Sequence, residues 1–183
     1  ETGIGQRGDV GAGFLAAALQ AVLVVQAGRV SLAPYEFDYF RADEPAYHRT
    51  PVKALAGIFA DKDATSPHEG RAAVSVLRAM GVLAFIQLVR LNFGDLRAIW
   101  AFAIFLSFPP TFPYLVRLDS WMDSVSLSLI AMYGMSRTRQ ANRPSSGLWS
   151  FVAGAIAAIA LDSKSTAALT LASAGIFLFW KSP

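Results

Sequence analysis

The chain contains no cysteine. Disulfides, thiolate metal sites and cysteine nucleophiles are therefore excluded. Charge is scarce as well. Asp, Glu, Lys and Arg make up 16% of the residues, against about 25% in soluble domains. Basic residues form no stripe interleaved with aromatics, which excludes nucleic acid as the expected partner. The chain has no phosphate-binding P-loop, dinucleotide-binding glycine fingerprint, His-Glu-x-x-His or Gly-x-Ser-x-Gly. No metal-ligand cluster has diagnostic spacing. There is no internal repeat, and this argues against a secondary transporter.

What is present is apolar sequence in blocks. The 183 residues are 54% hydrophobic, with a mean hydropathy of +0.42. The charges cluster between the blocks, which predicts an all-α, polytopic integral membrane protein forming one transmembrane domain over 1–183. Six transmembrane or re-entrant segments are expected. They run Val10–Gly28, Ala72–Val89, Ala98–Val116, Ser120–Ser136, Leu148–Leu161 and Thr166–Trp180. Residues 1–9 read as a flexible terminus. Val10–Val30 lacks the small-residue cleavage site of a signal peptide. Pro109, Pro110 and Pro113 break or bend the third segment, because proline lacks the N–H donor. In lipid such a break is tolerated where it lines a cavity or is buried in protein. The last two segments are short for a span of roughly 20 residues, so either the Asp162–Ser165 link lies at membrane depth or the two form a re-entrant pair. The chain opens on Glu-Thr-Gly and closes on Lys-Ser-Pro after an apolar segment, and is expected to be part of a longer protein.

Residues 29–71 form a long polar loop with six Lys/Arg and seven Asp/Glu. Within it, Val52, Leu55 and Phe59 mark one face of a short amphipathic helix over 51–60, suited to the membrane surface. Asp61–His68 reads as a solvated turn, with His68 a surface residue. The 137–147 loop carries three arginines and no acid, which places it in the cytoplasm. Alternation then puts the N-terminus and the 90–97 link inside. The 29–71 loop, Arg117–Asp123 and Asp162–Lys164 fall on the outer face. Ala- and Arg-rich usage points to a bacterial inner membrane.

The loop from Tyr35 to Arg49 crowds Glu36, Asp38, Asp43 and Glu44 among aromatics, beside His48 and Arg49. A carboxylate at a lipid–water boundary is placed to act as a general base, and Asp43 and Glu44 are the candidates. The competing reading is that Asp38 or Asp43 caps a helix with Pro45 at its first position. Arg49 has the planar fork that suits phosphate; with Lys53 it would equally anchor lipid headgroups. Arg117, Asp119 and Asp123 are candidate groups at segment ends, or an ion pair closing a helix hairpin. Lys164, among hydroxyls at a helix start, suits a phosphate or is an ordinary loop charge. Arg78, inside the second segment, is expected to pair with a carboxylate of the loop or to snorkel outward. No cofactor is implied with certainty; a divalent cation would fall to Asp38, Asp43 or Glu44.

Asp43-Glu44-Pro-Ala-Tyr47 resembles the Asp-Glu-x-x-Tyr type motif in the first outer loop of GT-C superfamily glycosyltransferases, in the aminoarabinose and protein-mannosyl transferase branch. Gly154-Ala-Ile-Ala-Ala-Ile-Ala-Leu-Asp-Ser-Lys164 is similar to the small-residue helix of that group that ends in Thr-Lys or Ser-Lys. The resemblance implies an N-terminal portion of an enzyme that moves a sugar from a polyprenyl-phosphate donor to a lipid or glycan acceptor of the cell envelope. Asp43, with Glu44 as the next choice, would act on the acceptor hydroxyl. Lys164, Arg117 and Arg49 would stabilise the departing phosphate. Asp38, Tyr47, His48 and Asp119 complete the expected binding set. Two alternatives stand beside it. One is a lipid-linked polysaccharide polymerase of the O-antigen type, in which Asp38-Tyr39 and Arg117 matter more than Asp43. The other is a non-catalytic polytopic subunit whose acidic loop docks a membrane-protein partner.

Overall fold

A computed structural model describes residues 18, 19, 21, 22, 52, 68–107, 115, 120–140, 143–165 and 167–180. The described residues form five helices and no strand: α1 His68–Phe93, α2 Asp95–Ser107, α3 Ser120–Gln140, α4 Arg143–Ser163 and α5 Ala167–Trp180. Residues 18, 19, 21 and 22, within the expected first segment, are helical, as are Val52 and Leu115. The remainder of that segment, of the 29–71 loop and of the 51–60 helix lies outside the described residues.

The helices are longer than hydropathy predicts. α1 starts four residues earlier, at His68, so His68–Arg71 belong to a helix and not to the loop. The expected polar link over 90–97 shrinks to Gly94, and α2 begins at Asp95. α3 runs on to Gln140, so the basic loop expected over 137–147 is largely helical. α4 spans 21 residues instead of the expected 14 or so, and takes in Asp162 and Ser163. One physical reason covers all of these. Charged residues are at home in the first and last turns, where their side chains reach water, yet a hydropathy reading stops at the first charge. Pro144 lies in the first turn of α4, where a missing N–H costs nothing. At 1.5 Å per residue α4 is roughly 31 Å long, enough to cross a bilayer. α1 and α4 are the two described helices long and apolar enough to do so. α5, with 14 residues, is shorter.

Gly94 makes the α1–α2 turn. Its φ is +90°, a conformation open to glycine and strained for other residues. Its N–H donates to Arg90 O at 2.9 Å, and its own carbonyl accepts from Ala98 N at 3.2 Å. Arg90 Nε donates to Asp95 Oδ1 across the turn at 2.6 Å. The α4–α5 break is equally tight, with Ala167 N donating to Lys164 O and Ala168 N to Ser165 O, both at 3.0 Å.

Contacts fix the helix directions. Arg78 meets Asp123, and Gly81 meets Ser126, a constant offset of 45 positions. α1 and α3 are therefore parallel. Ser124 meets Ala160 while Gly134 meets Ala153, so α4 runs antiparallel to α3. α3 is the hub, packed on α1, α4 and α5. One apolar cluster joins Val52, Val74, Leu127, Ala160 and Ala167; a second joins Leu19, Ala79, Val82 and Leu115.

Unlike in a water-soluble bundle, large apolar side chains are exposed and charged ones are buried. Of the six largest fully buried side chains among the described residues, only Leu115 is apolar; the others are Arg71, Arg78, Asp123, Ser75 and Ser128. Outside lie Val76, Met80, Ile99, Trp100, Ile104, Phe151, Ile159, Leu169 and Ile176. The exposed charged side chains among the described residues, Asp95, Arg97, Arg137 and Asp162, all lie in the terminal turns of helices.

Candidate functional site

Arg71, Ser75 and Arg78 follow one another at i, i+4 and i+7, and so share one face of α1. All three are fully buried. The face turns toward the start of α3. There Arg78 Nη2 and Nε donate to Asp123 Oδ1 at 2.9 and 3.2 Å. Arg78 Nη1 donates to the carbonyl of Leu115 at 2.9 Å. Both side chains of the ion pair are excluded from solvent. A buried pair costs several kcal/mol per ion in desolvation, which is offset only when further hydrogen bonds complete the geometry. The Leu115 carbonyl is one such bond. It ties the chain just past Pro109–Pro113 to α1 and α3.

The same end of the bundle receives α4. Because α4 is antiparallel to α3, its C-terminus lies beside the α3 N-terminus. Lys164 Nζ stands over the Trp121 ring, 5.4 Å from its centroid, a cation–π contact. Trp121 is two residues from Asp123. Ser163 Oγ donates to Ile159 O at 2.9 Å, and Ser124 Oγ approaches Ala160 O at 3.4 Å. Ser128 Oγ is buried with no hydrogen-bond partner.

One end therefore gathers Arg71, Arg78, Asp123, Asp162 and Lys164, with Trp121. The other gathers Arg90, Asp95, Arg97 and Arg137. From Trp121 to Arg137 along α3 is 16 residues, roughly 24 Å. The packing thus places Lys164 and Asp123 together and separates them from the arginines of the expected cytoplasmic side.

Of the residues singled out in the sequence, Arg78, Asp123 and Lys164 have side chains within the described residues; Asp38, Asp43, Glu44, Tyr47, His48, Arg49, Arg117 and Asp119 lie outside them. Among the described residues no group of three His, Asp or Glu could hold a metal ion. Two features escaped sequence reasoning. The Arg78–Asp123 pair was open to discovery, since both charges sit inside apolar segments, but which carboxylate met Arg78 depended on the parallel register of α1 and α3. Trp121 gave no signal beyond being an aromatic at a segment start.

The chain matches no protein-family model, no curated protein and no solved structure.

Proposed function

We propose that the chain is a membrane-embedded glycosyltransferase domain that moves a sugar from a polyprenyl-phosphate donor to an acceptor of the cell envelope. The observation that carries this reading is an exposed apolar exterior with buried ionic groups collected at one end. Apolar side chains face outward, while Arg71, Arg78 and Asp123 are buried beside Lys164 and Trp121. A lipid-phosphate donor needs that combination. Its chain lies in the bilayer, and its phosphate sits at the interface, where Lys and Trp are at home. The end-to-end separation of about 24 Å is compatible with a hydrocarbon core of about 30 Å.

In this reading the acceptor hydroxyl loses its proton to Asp43, its oxygen bonds to the anomeric carbon, and the bond from that carbon to the phosphate oxygen breaks. Polyprenyl phosphate departs with the electron pair. The leaving group is already anionic, so the help it needs is electrostatic and positional. Lys164 supplies a mobile cation, held near the interface by Trp121. The buried Arg78–Asp123 pair fixes the floor beneath it.

The test is sugar transfer from a polyprenyl-phosphate donor by the purified full chain in lipid. Asp43→Asn is expected to lower the rate by about 10²–10⁴-fold, the range of a lost general base. Lys164→Ala is expected to lower it by about 10²-fold, as for loss of one charge-stabilising donor. A folded wild type that transfers nothing and co-purifies with a membrane-protein partner would replace this reading with that of a non-catalytic subunit.

A further inference from the structure

Among the described side chains, the end of the bundle away from Lys164 carries Arg90, Arg97 and Arg137 against one acid, Asp95. Asp95 is committed to Arg90. Arg97 and Arg137 are exposed. Each stands beside apolar surface. Leu96 and Trp100, 69% and 62% exposed, flank Arg97 on α2; Leu148, 65% exposed, and Trp149 lie in the second turn of α4, at the level of Arg137.

We propose that this end is a binding surface for anionic phospholipids, with Arg97 and Arg137 as its two headgroup contacts. The inference rests on the membrane reading above. A guanidinium beside an exposed tryptophan at a helix end meets both parts of a phospholipid: the planar fork takes the phosphate, and the ring lies at headgroup level. The net positive charge selects lipids whose headgroups carry net negative charge over zwitterionic ones. At the opposite end Arg71 and Arg78 are buried, and the exposed charged side chain among the described residues is an acid, Asp162. The preference is therefore sided.

The test reconstitutes the full chain in vesicles of equimolar phosphatidylglycerol and phosphatidylcholine, re-extracts it in detergent, and measures the ratio of the two lipids retained. Phosphatidylglycerol is expected to be enriched. Arg97→Gln with Arg137→Gln is expected to remove the enrichment, by about five-fold for each arginine, the factor one interfacial cation contributes at an anionic surface. Lysine at both positions should keep most of it. Equal retention of the two lipids by the wild type overturns the inference alone. So does enrichment that survives the glutamine variant. A chain that stays out of the vesicles and retains neither lipid overturns the membrane reading too.

Discussion

Asp123→Leu is expected to destabilise the folded protein by about 3–5 kcal/mol, the cost of removing one partner of a buried ion pair. Arg78 would keep its bond to the Leu115 carbonyl but lose both contacts to Asp123. No solvent reaches that position. The double variant Arg78→Met with Asp123→Leu is expected to recover most of the loss, because two apolar side chains can replace the pair. Full recovery is not expected. The Leu115 carbonyl would then lack its donor, at a cost of about 1–3 kcal/mol. Thermal unfolding of the four proteins of this cycle in one detergent checks the coupling. Arg90→Gln provides the contrast. Its pair with Asp95 is shorter, at 2.6 Å, but exposed, and such pairs contribute about 0–1 kcal/mol. If Asp123→Leu proved as mild as Arg90→Gln, the pair would not be holding α1 to α3.

Gly81→Leu is expected to abolish the native α1–α3 packing. A Cβ on Gly81 would lie 2.7 Å from Ser126 Cβ and 2.8 Å from its Cα. The second distance is the decisive one, since a backbone atom cannot rotate away. Parallel helices in lipid associate by such close approach at small residues. Even Gly81→Ala must push the helices apart, with overpacking costs of about 1–3 kcal/mol. Leucine adds three further carbons to the same place. The displacement would also stretch the Arg78–Asp123 contacts, one turn away. Gly154→Ala is the matched control. A Cβ there meets nothing within 4 Å, so the variant should fold like wild type. Retention of the monodisperse, heat-stable form on size-exclusion in detergent distinguishes the three. A wild-type profile for Gly81→Leu would mean that α1 and α3 do not cross where Gly81 and Ser126 meet.

The helical class and approximate segment positions were legible in the sequence because apolar blocks are a local signal. The helix ends were not. Arg71, Asp95, Arg137 and Asp162 all lie inside helices that a hydropathy reading ends before them. The charge of a residue says nothing about whether its backbone continues a helix. That Arg137 and Lys164 lie at opposite ends was legible, because the order of apolar blocks between them is also a local pattern. The pairing of Arg78 with Asp123 was not, since it depends on α1 and α3 being parallel neighbours. No local pattern records that two helices separated by α2 lie side by side. Asp43 and Glu44 remain sequence-based candidates; the described part of the proposed site is Arg78, Asp123, Trp121 and Lys164.

The absence of cysteine gives the most direct test of the central claim, that the apolar exterior faces lipid and the charged ends face water on opposite sides. Single cysteines at Ser165, Arg137, Ile104 and Phe151 would be probed in sealed membranes with a thiol reagent that does not cross them. The account predicts that Ser165→Cys reacts from the outer side and Arg137→Cys only after the membrane is opened. Ile104→Cys and Phe151→Cys, on the exposed apolar faces of α2 and α4, should react in neither condition. Reaction at Ile104 and Phe151 as fast as at Ser165 would contradict it, placing those faces in water and the polar interior in an ordinary soluble bundle.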